Sequence, residues 1–278
     1  MTFQEEIIGF AKRIGLPEQE TETILNTGME PEKYASFKRD FYENREHFLR
    51  ELKKEPDAEK VALTFCTYAA MELHPLYRQK GISDEIYYST FSDIAIWAAI
   101  YRKKTDRCGL SEMQWLSYHL NLRLFRLGRL QFQTDALMNS ISVDGTEYPA
   151  GTPCFQVHIP EGEPLLPQQC QESYQAAMAF FRGIAPLFLC HSWLLSPALS
   201  ELLAEESNIL QFARRYTLLE LFHNDRSAEE RVFGKIEPNP SAYAEGTRLQ
   251  RSMKHHLMNG GKVPAALGAF CLRNEAGI

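Results

Sequence analysis

The stretch CFQVHIPEGEPLLP, residues 154–167, precedes a helical pattern, SYQAAMAFF at 173–181, and an apolar run, APLFLCHSWLL at 185–195. The alternation in CFQVHIP and the apolar run each predict a strand, and we expect the helix between them to end at Gly183. A strand, helix and strand in this order form a β-α-β unit, which needs a right-handed crossover and a parallel strand pair. The stretch therefore predicts the centre of a mixed sheet.

The rest of the second half supplies further strands and helices. We predict strands in LFRLGRLQFQT (124–134, with a bend at Gly128), ALMNSISVDGTEY (136–148, with a turn at Asp144-Gly145), RRYTLLELF (214–222) and RVFGK (231–235). Helical patterns follow in SPALSELLAEESNILQF (196–212) and GTRLQRSMKHHLMNG (246–260).

The first 119 residues read as helical. Thr2 and Glu5 have the spacing of a capping box, and Ser83 is placed to cap a later helix. We count about six helices and no strand before residue 120. The sequence therefore predicts an α+β protein with a helical N-terminal domain, residues 1–119, and a mixed-sheet domain flanked by helices, residues 120–278.

Composition excludes several functional classes. The 278 residues carry a net charge of −6, and no dense basic surface indicates a nucleic-acid partner. The six cysteines show no CxxC spacing, which favours free thiols in the cytoplasm and no metal site. No apolar run reaches a membrane span, and the acidic start is not typical of a secretory signal. Motifs for nucleotide hydrolysis, zinc proteases and common hydride transfer are missing.

Strand periodicity selects the candidate site residues. In CFQVHIP, Gln156 and His158 share one face with Cys154, and the opposite face is the expected core face. His158 lies near the carboxyl end of its strand, where ligands bind in open α/β sheets. A pair across the two strands, His158 with Cys190 or Ser192, is one hypothesis for catalysis. A histidine satisfied by a backbone partner is the alternative.

Several segments together resemble a family described as bacterial acyltransferase-like proteins. They are LFRLGRLQF, VHIPEGEPL with SYQAAMAFF, CHSWLL, ESNILQF, TFSDIAIW and GLSEMQWL. Its members have a helical N-acyltransferase-type N-terminal domain and a GNAT-like C-terminal domain. The resemblance implies an acyl-CoA co-substrate whose pantetheine arm lies between the strands containing CFQVHIP and FLCHSWLL.

The same resemblance assigns roles to individual residues. The strand residues Gln156, Val157 and Ile159 would pair with the pantetheine, while Gly162 in the turn and Ser173 at the helix start would meet the pyrophosphate. His158 would handle the proton, with Ser192 or Cys190 as a polar partner. Ser173 has a second interpretation, as a helix cap alone.

The composition of the turn at residues 160–167 argues against pyrophosphate binding there. Glu161 and Glu163 repel a pyrophosphate, and Pro160, Pro164 and Pro167 remove three backbone donors. Positive charge can come from the arginines of the preceding strand, which also fit an exposed strand face: Arg123, Arg126 and Arg129.

Three functional hypotheses follow. The leading one is an acyl-CoA-dependent N-acyltransferase of GNAT type, acting on a small amine or peptide amine. The alternative is a non-catalytic binding module on the same scaffold that has lost the pyrophosphate turn. A hydrolase using Cys190 or Ser192 with His158 is the third. The sequence leaves the acceptor and the oligomeric state open.

Overall fold

The computed structural model describes residues 2–182, 184 and 186–272. The helices are α1 Phe3–Ile14, α2 Glu18–Thr27, α3 Pro31–Glu43, α4 Arg45–Leu52, α5 Ala58–Gln79, α6 Asp84–Thr105, α7 Met113–Leu120, α8 Pro167–Phe180, α9 Leu199–Leu202, α10 Asn208–Ala213, α11 Ser227–Phe233 and α12 Arg248–Met258. The strands are β1 Leu124–Leu127, β2 Leu130–Ala136, β3 Ile141–Val143, β4 Thr146–Tyr148, β5 Pro153–His158, β6 Leu187–Ser192, β7 Thr217–Phe222 and β8 Ala265–Cys271.

The chain divides into two compact units. The first unit comprises the residues up to Leu127 together with Pro160–Gly162, and the second comprises Gly128–Ile159 and the residues from Glu163 onwards. The helical N-terminal part followed by a mixed sheet confirms the predicted fold class.

The first unit contains α1–α7 and β1. The predicted capping box is present: the Thr2 hydroxyl accepts from Glu5 N at 3.2 Å, and Glu5 Oε2 accepts from Thr2 N at 2.8 Å. Ser83 caps α6 as predicted. Strand β1 is held on α6 because the Thr90 hydroxyl accepts from the backbone N–H of Arg126 at 3.0 Å.

The second unit is built on a sheet in which β2, β5, β6, β8 and β7 follow one another in that order. β5 and β6 run parallel, whereas the other neighbouring pairs in this series are antiparallel. The parallel pair is joined through α8, so the predicted β-α-β unit is confirmed.

A different element packs on each face of this sheet. On one face, the Tyr174 ring of α8 meets Phe188 edge-on at 5.0 Å between centroids, and its hydroxyl lies 2.8 Å from that of Tyr216. On the other face, Val143 of the β3–β4 hairpin belongs to the apolar cluster that contains Cys154. The hairpin turns at the predicted Asp144-Gly145 pair.

Several predicted elements were wrong or incomplete. β8 was missed, although it lies between β6 and β7. The segment 231–235, predicted as a strand, overlaps the end of α11, and the helix predicted over 196–212 is two short helices, α9 and α10. α8 begins at Pro167, well before Ser173, and its predicted last residue, Gly183, lies outside the described residues.

Gly128 is the residue where the predicted bend occurs, and it tolerates no side chain. Its φ is +72°, and a Cβ there would lie 2.9 Å from the Ser173 hydroxyl oxygen. We expect Gly128→Ala to lower the free energy of unfolding by about 2–4 kcal/mol, from left-handed strain plus the close contact. Urea denaturation measures this loss.

Gly151→Ala is the matched control, since Gly151 has a similar φ of +83° but open space around its Cβ position. It should show the smaller loss that strain alone produces, about 1–2 kcal/mol. Equal losses in the two variants would show that the contact with Ser173 contributes nothing.

Candidate functional site

The central feature of the second unit is a gap between the two parallel strands. Pairing between β5 and β6 ends at Gln156 and Leu189. Beyond that point each strand keeps its outer neighbour, since β5 pairs with β2 as far as His158 and β6 pairs with β8 as far as Ser192. The two strands therefore separate toward their carboxyl ends, and their facing edges leave a wedge into which an extended molecule can insert.

The side chains beside this wedge lie on opposite faces of the sheet. Phe155 stacks on Phe188, with ring centroids 4.8 Å apart, so these two residues share a face. Because side chains alternate along a strand, Cys190 lies on the face of Phe188 and His158 lies on the other. Ser192 shares the face of Cys190. The structure therefore does not bring His158 together with Cys190 or Ser192, and the pair across the strands is wrong on geometric grounds.

Cys190 also has the wrong chemistry for a nucleophile. Its side chain is 1% exposed, and burial raises the pKa of the thiol to about 12. The thiolate is the reactive form, so a buried thiol of this kind is inert near neutral pH. The hydrolase hypothesis loses its sulfur nucleophile.

The inertness of Cys190 is directly measurable. At pH 8, well below this raised pKa, the Cys190 thiol is almost entirely protonated. We expect iodoacetamide to alkylate the half-buried Cys108 and Cys271 in the native protein and to leave Cys190 unmodified until guanidinium unfolds the chain. Peptide mass spectrometry measures each site, and native labelling of Cys190 at the rate of Cys108 would contradict the assignment.

The residues that follow β6 have structural contacts. The Ser192 hydroxyl accepts from Leu194 N at 3.1 Å and caps a short 3-10 turn. The exposed His191 meets the Phe222 ring edge-on at 4.6 Å. Trp193 packs against the cluster of α9, α10 and α12 that includes Leu199. Its side chain thus packs on a second apolar core.

The turn after β5 is braced by a buried arginine. Arg129 is 5% exposed, and its guanidinium donates to the carbonyl oxygens of Pro164 at 3.0 Å and Glu163 at 2.5 Å. The trans peptide geometry then points the N–H of Leu165 away from Arg129. Glu161, Gly162 and Glu163 are exposed. The interpretation of Arg129 as part of an exposed strand face was wrong.

The other two arginines differ in their exposure. Arg123 is exposed. Arg126 is 9% exposed and donates to the Ser92 hydroxyl at 3.3 Å within the first unit. Burial of Arg126 again contradicts the exposed-face interpretation.

The N-terminus of α8 has no side-chain cap. Leu166 occupies the N-cap position without a side-chain hydrogen bond, Pro167 follows, and the first turn carries no acidic residue. The first N–H groups of a helix have no partner within the helix, and together with the helix dipole they attract anions. The N–H groups of Gln168 and Gln169 are the donors available here.

Ser173 belongs to the interior and not to this open end. It is 1% exposed, its hydroxyl accepts from Arg129 N at 2.8 Å and Leu130 N at 3.4 Å, and it donates to Gln169 O at 2.8 Å. Those contacts occupy the hydroxyl, so Ser173 joins α8 to β2 and is neither an N-cap nor a cofactor ligand. The structure corrects its predicted role.

The remaining predicted residues lie in β5 or in the chain just after it. Gln156 and His158 are half-buried, Val157 is 3% exposed on the opposite face, and Ile159 is half-buried just after β5. Gly162 has a φ of +109° and open space at its Cβ position. Their roles toward a ligand stay predictions.

The described residues contain neither a metal-binding cluster nor a membrane-spanning helix. No group of three or more histidine, cysteine or acidic side chains in that part of the chain is arranged to hold a metal ion. Within the same residues, no helix combines the length and apolar character that a membrane crossing requires.

The family comparison agrees with this geometry. Residues 124–270, more than half of the chain, match the family described as the GNAT-like C-terminal domain. The chain belongs to the GNAT-like C-terminal domain family. Residues 5–122 match the N-acyltransferase N-terminal domain. Together the two matches confirm the two-domain acyltransferase resemblance that the sequence motifs indicated.

Solved structures share the fold over nearly the whole chain. An acyltransferase in complex with decanoyl-CoA and teicoplanin has a TM-score of 0.76 and 26% identity, covering 97% of this chain and 88% of that one. An acyltransferase mutant in complex with octanoyl-CoA gives the same four values. An acyltransferase with CoA and 10C-teicoplanin has a TM-score of 0.74 and 25% identity, covering 95% and 87%. No curated protein matches this chain.

Sequence reasoning named Arg129 only as a source of positive charge or as part of an exposed strand face, and it missed Gln131 altogether. Arg129 holds the turn after β5. Gln131 lies directly opposite His158 in the β2–β5 pair. The alternation of LFRLGRLQF was a usable signal for Gln131, because it places this polar residue between two apolar residues of a predicted strand. Nothing in the sequence signalled the brace formed by Arg129.

Proposed function

We propose that this chain transfers an acyl group from an acyl-CoA to an amine. The wedge between β5 and β6 carries this proposal, because pairing ends at Gln156 and Leu189 while both outer ladders continue. The acyltransferases that share the fold were crystallised with decanoyl-CoA, octanoyl-CoA and CoA.

Features of the second unit fit each part of such a co-substrate. The facing backbone edges of β5 and β6 can pair with the two amides of a pantetheine arm. The open start of α8 presents the N–H groups of Gln168 and Gln169 to a pyrophosphate. The carbonyl oxygens of Glu163 and Pro164 point toward the Arg129 guanidinium. Their partial negative charges therefore point away from the N-terminus of α8, where a pyrophosphate would bind. The exposed Glu163 carboxylate opposes this binding and is screened by solvent.

His158 is the residue we propose for proton handling. The amine nitrogen attacks the carbonyl carbon of the thioester, so a C–N bond forms and the C–S bond breaks. CoA leaves as a thiolate that is protonated to the free thiol. The chain must hold that nitrogen near the wedge and take up a proton from it, directly or through a water molecule. His158 lies at the carboxyl end of β5, beside the point where the strands separate. Cys190 and Ser192 lie on the other face and have no part in this step.

The acceptor in this proposal is a small amine or a peptide amine. The acidic turn at Glu161 and Glu163 repels a pyrophosphate and so favours a second candidate, a non-catalytic binding module that has lost the pyrophosphate turn and holds another small molecule or a protein partner. The two candidates differ in whether the thioester is consumed.

Calorimetric titration with acetyl-CoA, octanoyl-CoA and decanoyl-CoA tests binding, and a thiol assay for released CoA tests turnover. We expect saturable binding of at least one acyl-CoA and amine-dependent release of CoA. Absence of CoA release under a broad amine panel would favour the binding module. The transferase proposal fails if none of the three acyl-CoAs binds at millimolar concentration.

We also propose that the protein works in a reducing compartment such as the cytoplasm. The support is that all six cysteines are free thiols, four of them buried. Disulfide-forming compartments rarely keep so many unpaired thiols.

A further inference from the structure

A pocket of about 730 Å³ opens in the first unit, among α1, α3, α5 and α6. This volume lies in the range of small-molecule sites. Six aromatic side chains form part of its wall: Phe3, Phe10, Tyr34, Tyr68, Tyr87 and Tyr88. Phe3 is 53% exposed, and Tyr34 and Tyr88 are half-buried, so a ligand can reach these rings. Aromatic rings pair edge-on or offset-stacked, and such a wall favours a flat aromatic ligand.

Helices α1 and α5 run in the same direction along this pocket. Phe3 of α1 meets Tyr68 of α5 edge-on, with ring centroids 4.9 Å apart. Ten residues further along each helix, Arg13 and Arg78 lie 4.0 Å and 3.1 Å from the carboxylate of Asp84. The pocket therefore has a basic end, where the C-terminal parts of both helices come together.

The carboxylates of the pocket wall lie toward the opposite end. Glu6 and Glu72 each precede the arginine of the same helix by nearly two turns, which is about 9–10 Å. The Tyr34 hydroxyl donates to Glu72 Oε2 at 2.8 Å, and the Lys38 ammonium bonds the same oxygen. Because Lys38 already neutralises Glu72, this end offers little to a cationic ligand, while Glu6 repels an anionic one.

The Arg13 guanidinium is placed to bind an anion. It lies over the Tyr88 ring, 3.8 Å from the centroid, and its side chain is 54% exposed. Asp84 accepts from Arg78 at 3.1 and 3.3 Å and lies 2.8 Å from His74 Nε2. Its 4.0 Å separation from Arg13 exceeds a hydrogen bond. Arg13 thus adds a cation that Asp84 does not neutralise, and a planar fork held on a ring matches a carboxylate.

A glycine keeps part of the pocket wall open. Gly9 lies in the middle of α1 and lines the pocket, three residues after Glu6 and four before Arg13. Residues with this spacing share one helix face. A Cβ at Gly9 would meet nothing within 4 Å, so close packing does not require its small size. Glycine is also the weakest helix former after proline. The chain therefore forgoes helix stability where a side chain would occupy ligand space.

We propose that this pocket binds an aromatic monocarboxylic acid, with its carboxylate on Arg13 and its rings against Tyr68, Tyr87 and Tyr88. An aliphatic acid gains less from these rings. A second carboxylate at the far end of the ligand would meet Glu6 and Glu72, and the pocket discriminates against it. The inference assigns a ligand site to the first unit. It goes beyond the proposed acyl transfer and does not depend on it.

Biphenyl-4-carboxylate is the probe, and calorimetry with the full chain measures its affinity. Biphenyl-4-carboxamide has the same shape without the charge, and biphenyl-4,4′-dicarboxylate adds a second anion at the far end. Arg13→Met is compared with Arg50→Met, because Arg50 of α4 is 61% exposed and likewise lies 4.0 Å from a single carboxylate, that of Glu46. Gly9→Leu, which fills the pocket, is compared with Gly9→Ala.

We expect the native protein to bind biphenyl-4-carboxylate at least about tenfold more tightly than the carboxamide or the dicarboxylate. Arg13→Met should weaken the monocarboxylate at least about tenfold and leave the carboxamide unchanged, while Arg50→Met should change neither. Both Gly9 variants should raise the melting temperature by about 1–3 °C through helix propensity. Gly9→Leu alone should abolish binding of the monocarboxylate.

The opposite results overturn the inference. A native protein that does not bind biphenyl-4-carboxylate contradicts the site itself. Equal affinity for the acid and the carboxamide, or native affinity in Arg13→Met, removes Arg13 as the carboxylate partner. Native affinity in Gly9→Leu places the ligand outside this pocket. None of these measurements contains acyl-CoA, so failure of the proposed transferase function would leave this inference standing, and the reverse also holds.

Discussion

Replacing Arg129 by methionine is expected to lower the free energy of unfolding by about 2–4 kcal/mol and to weaken octanoyl-CoA binding at least about tenfold. The guanidinium is a charged, buried donor to two consecutive carbonyl oxygens, those of Glu163 and Pro164. Methionine fills similar volume but leaves both oxygens without this donor. The turn that leads into α8 then loses its fixed conformation, and with it the alignment of the helix start.

Two further variants isolate the brace. Arg129→Lys keeps the charge but loses the planar fork, so it should recover only part of the affinity. Arg251→Met removes an exposed arginine of α12 that also donates to a backbone carbonyl, that of Glu245 at 2.9 Å, and should leave octanoyl-CoA binding unchanged. Urea denaturation and calorimetry measure the two effects. If Arg129→Met binds octanoyl-CoA with native affinity, the turn held by Arg129 is not part of the binding site.

Replacing Gln169 by glutamate should weaken octanoyl-CoA binding about tenfold without lowering stability. A carboxylate in the first turn of a helix is stabilising by about 0.3–1 kcal/mol, because it complements the helix dipole. The same carboxylate repels a pyrophosphate at the N–H groups of α8, and two unit charges 4 Å apart interact by about 4 kcal/mol near a protein surface. Stability and affinity should therefore change in opposite directions.

Gln175→Glu is the control, since it places the same charge on an exposed position of α8 nearly two turns further along. It should alter affinity little. The loss in Gln169→Glu should shrink in high salt, where such charges are screened. If both variants bind octanoyl-CoA as the native protein does, the start of α8 is not the phosphate site.

Local patterns were enough to predict the frame of the fold. The capping box at Thr2, the Asp144-Gly145 turn and the alternation of CFQVHIP each report conformational preferences within a few residues. The strand, helix and strand order then implied the parallel pair. These features needed no knowledge of distant contacts.

β8 could not be predicted in this way, because its composition is set by its neighbours. The strand AALGAFC is rich in alanine and contains a glycine, and both residue types are depleted in strands. Gly268 has no room for a side chain, since a Cβ would lie 2.9 Å from Tyr216 Cβ and 3.1 Å from Leu195 Cδ1. Small residues were needed for packing between two other strands, and local propensity gave no sign of it.

The candidate site was predictable only within single strands. Alternation correctly placed Gln156 and His158 on one face. Relating them to Cys190 required the register between β5 and β6, which the sequence does not contain, and the Phe155–Phe188 stack shows that the faces are opposite. The role of Ser173 depended on where α8 begins, and a helix boundary is the least certain part of a sequence-based prediction.

Backbone hydrogen exchange in the wedge tests the central claim, that an acyl-CoA binds between β5 and β6. Peptides covering residues 153–166 and 187–192 are followed by mass spectrometry with and without saturating octanoyl-CoA. We predict slower exchange in both peptides and at the start of α8, and no change in the β3–β4 hairpin. Octanoyl-CoA binding that leaves exchange in both wedge peptides unchanged would contradict the account.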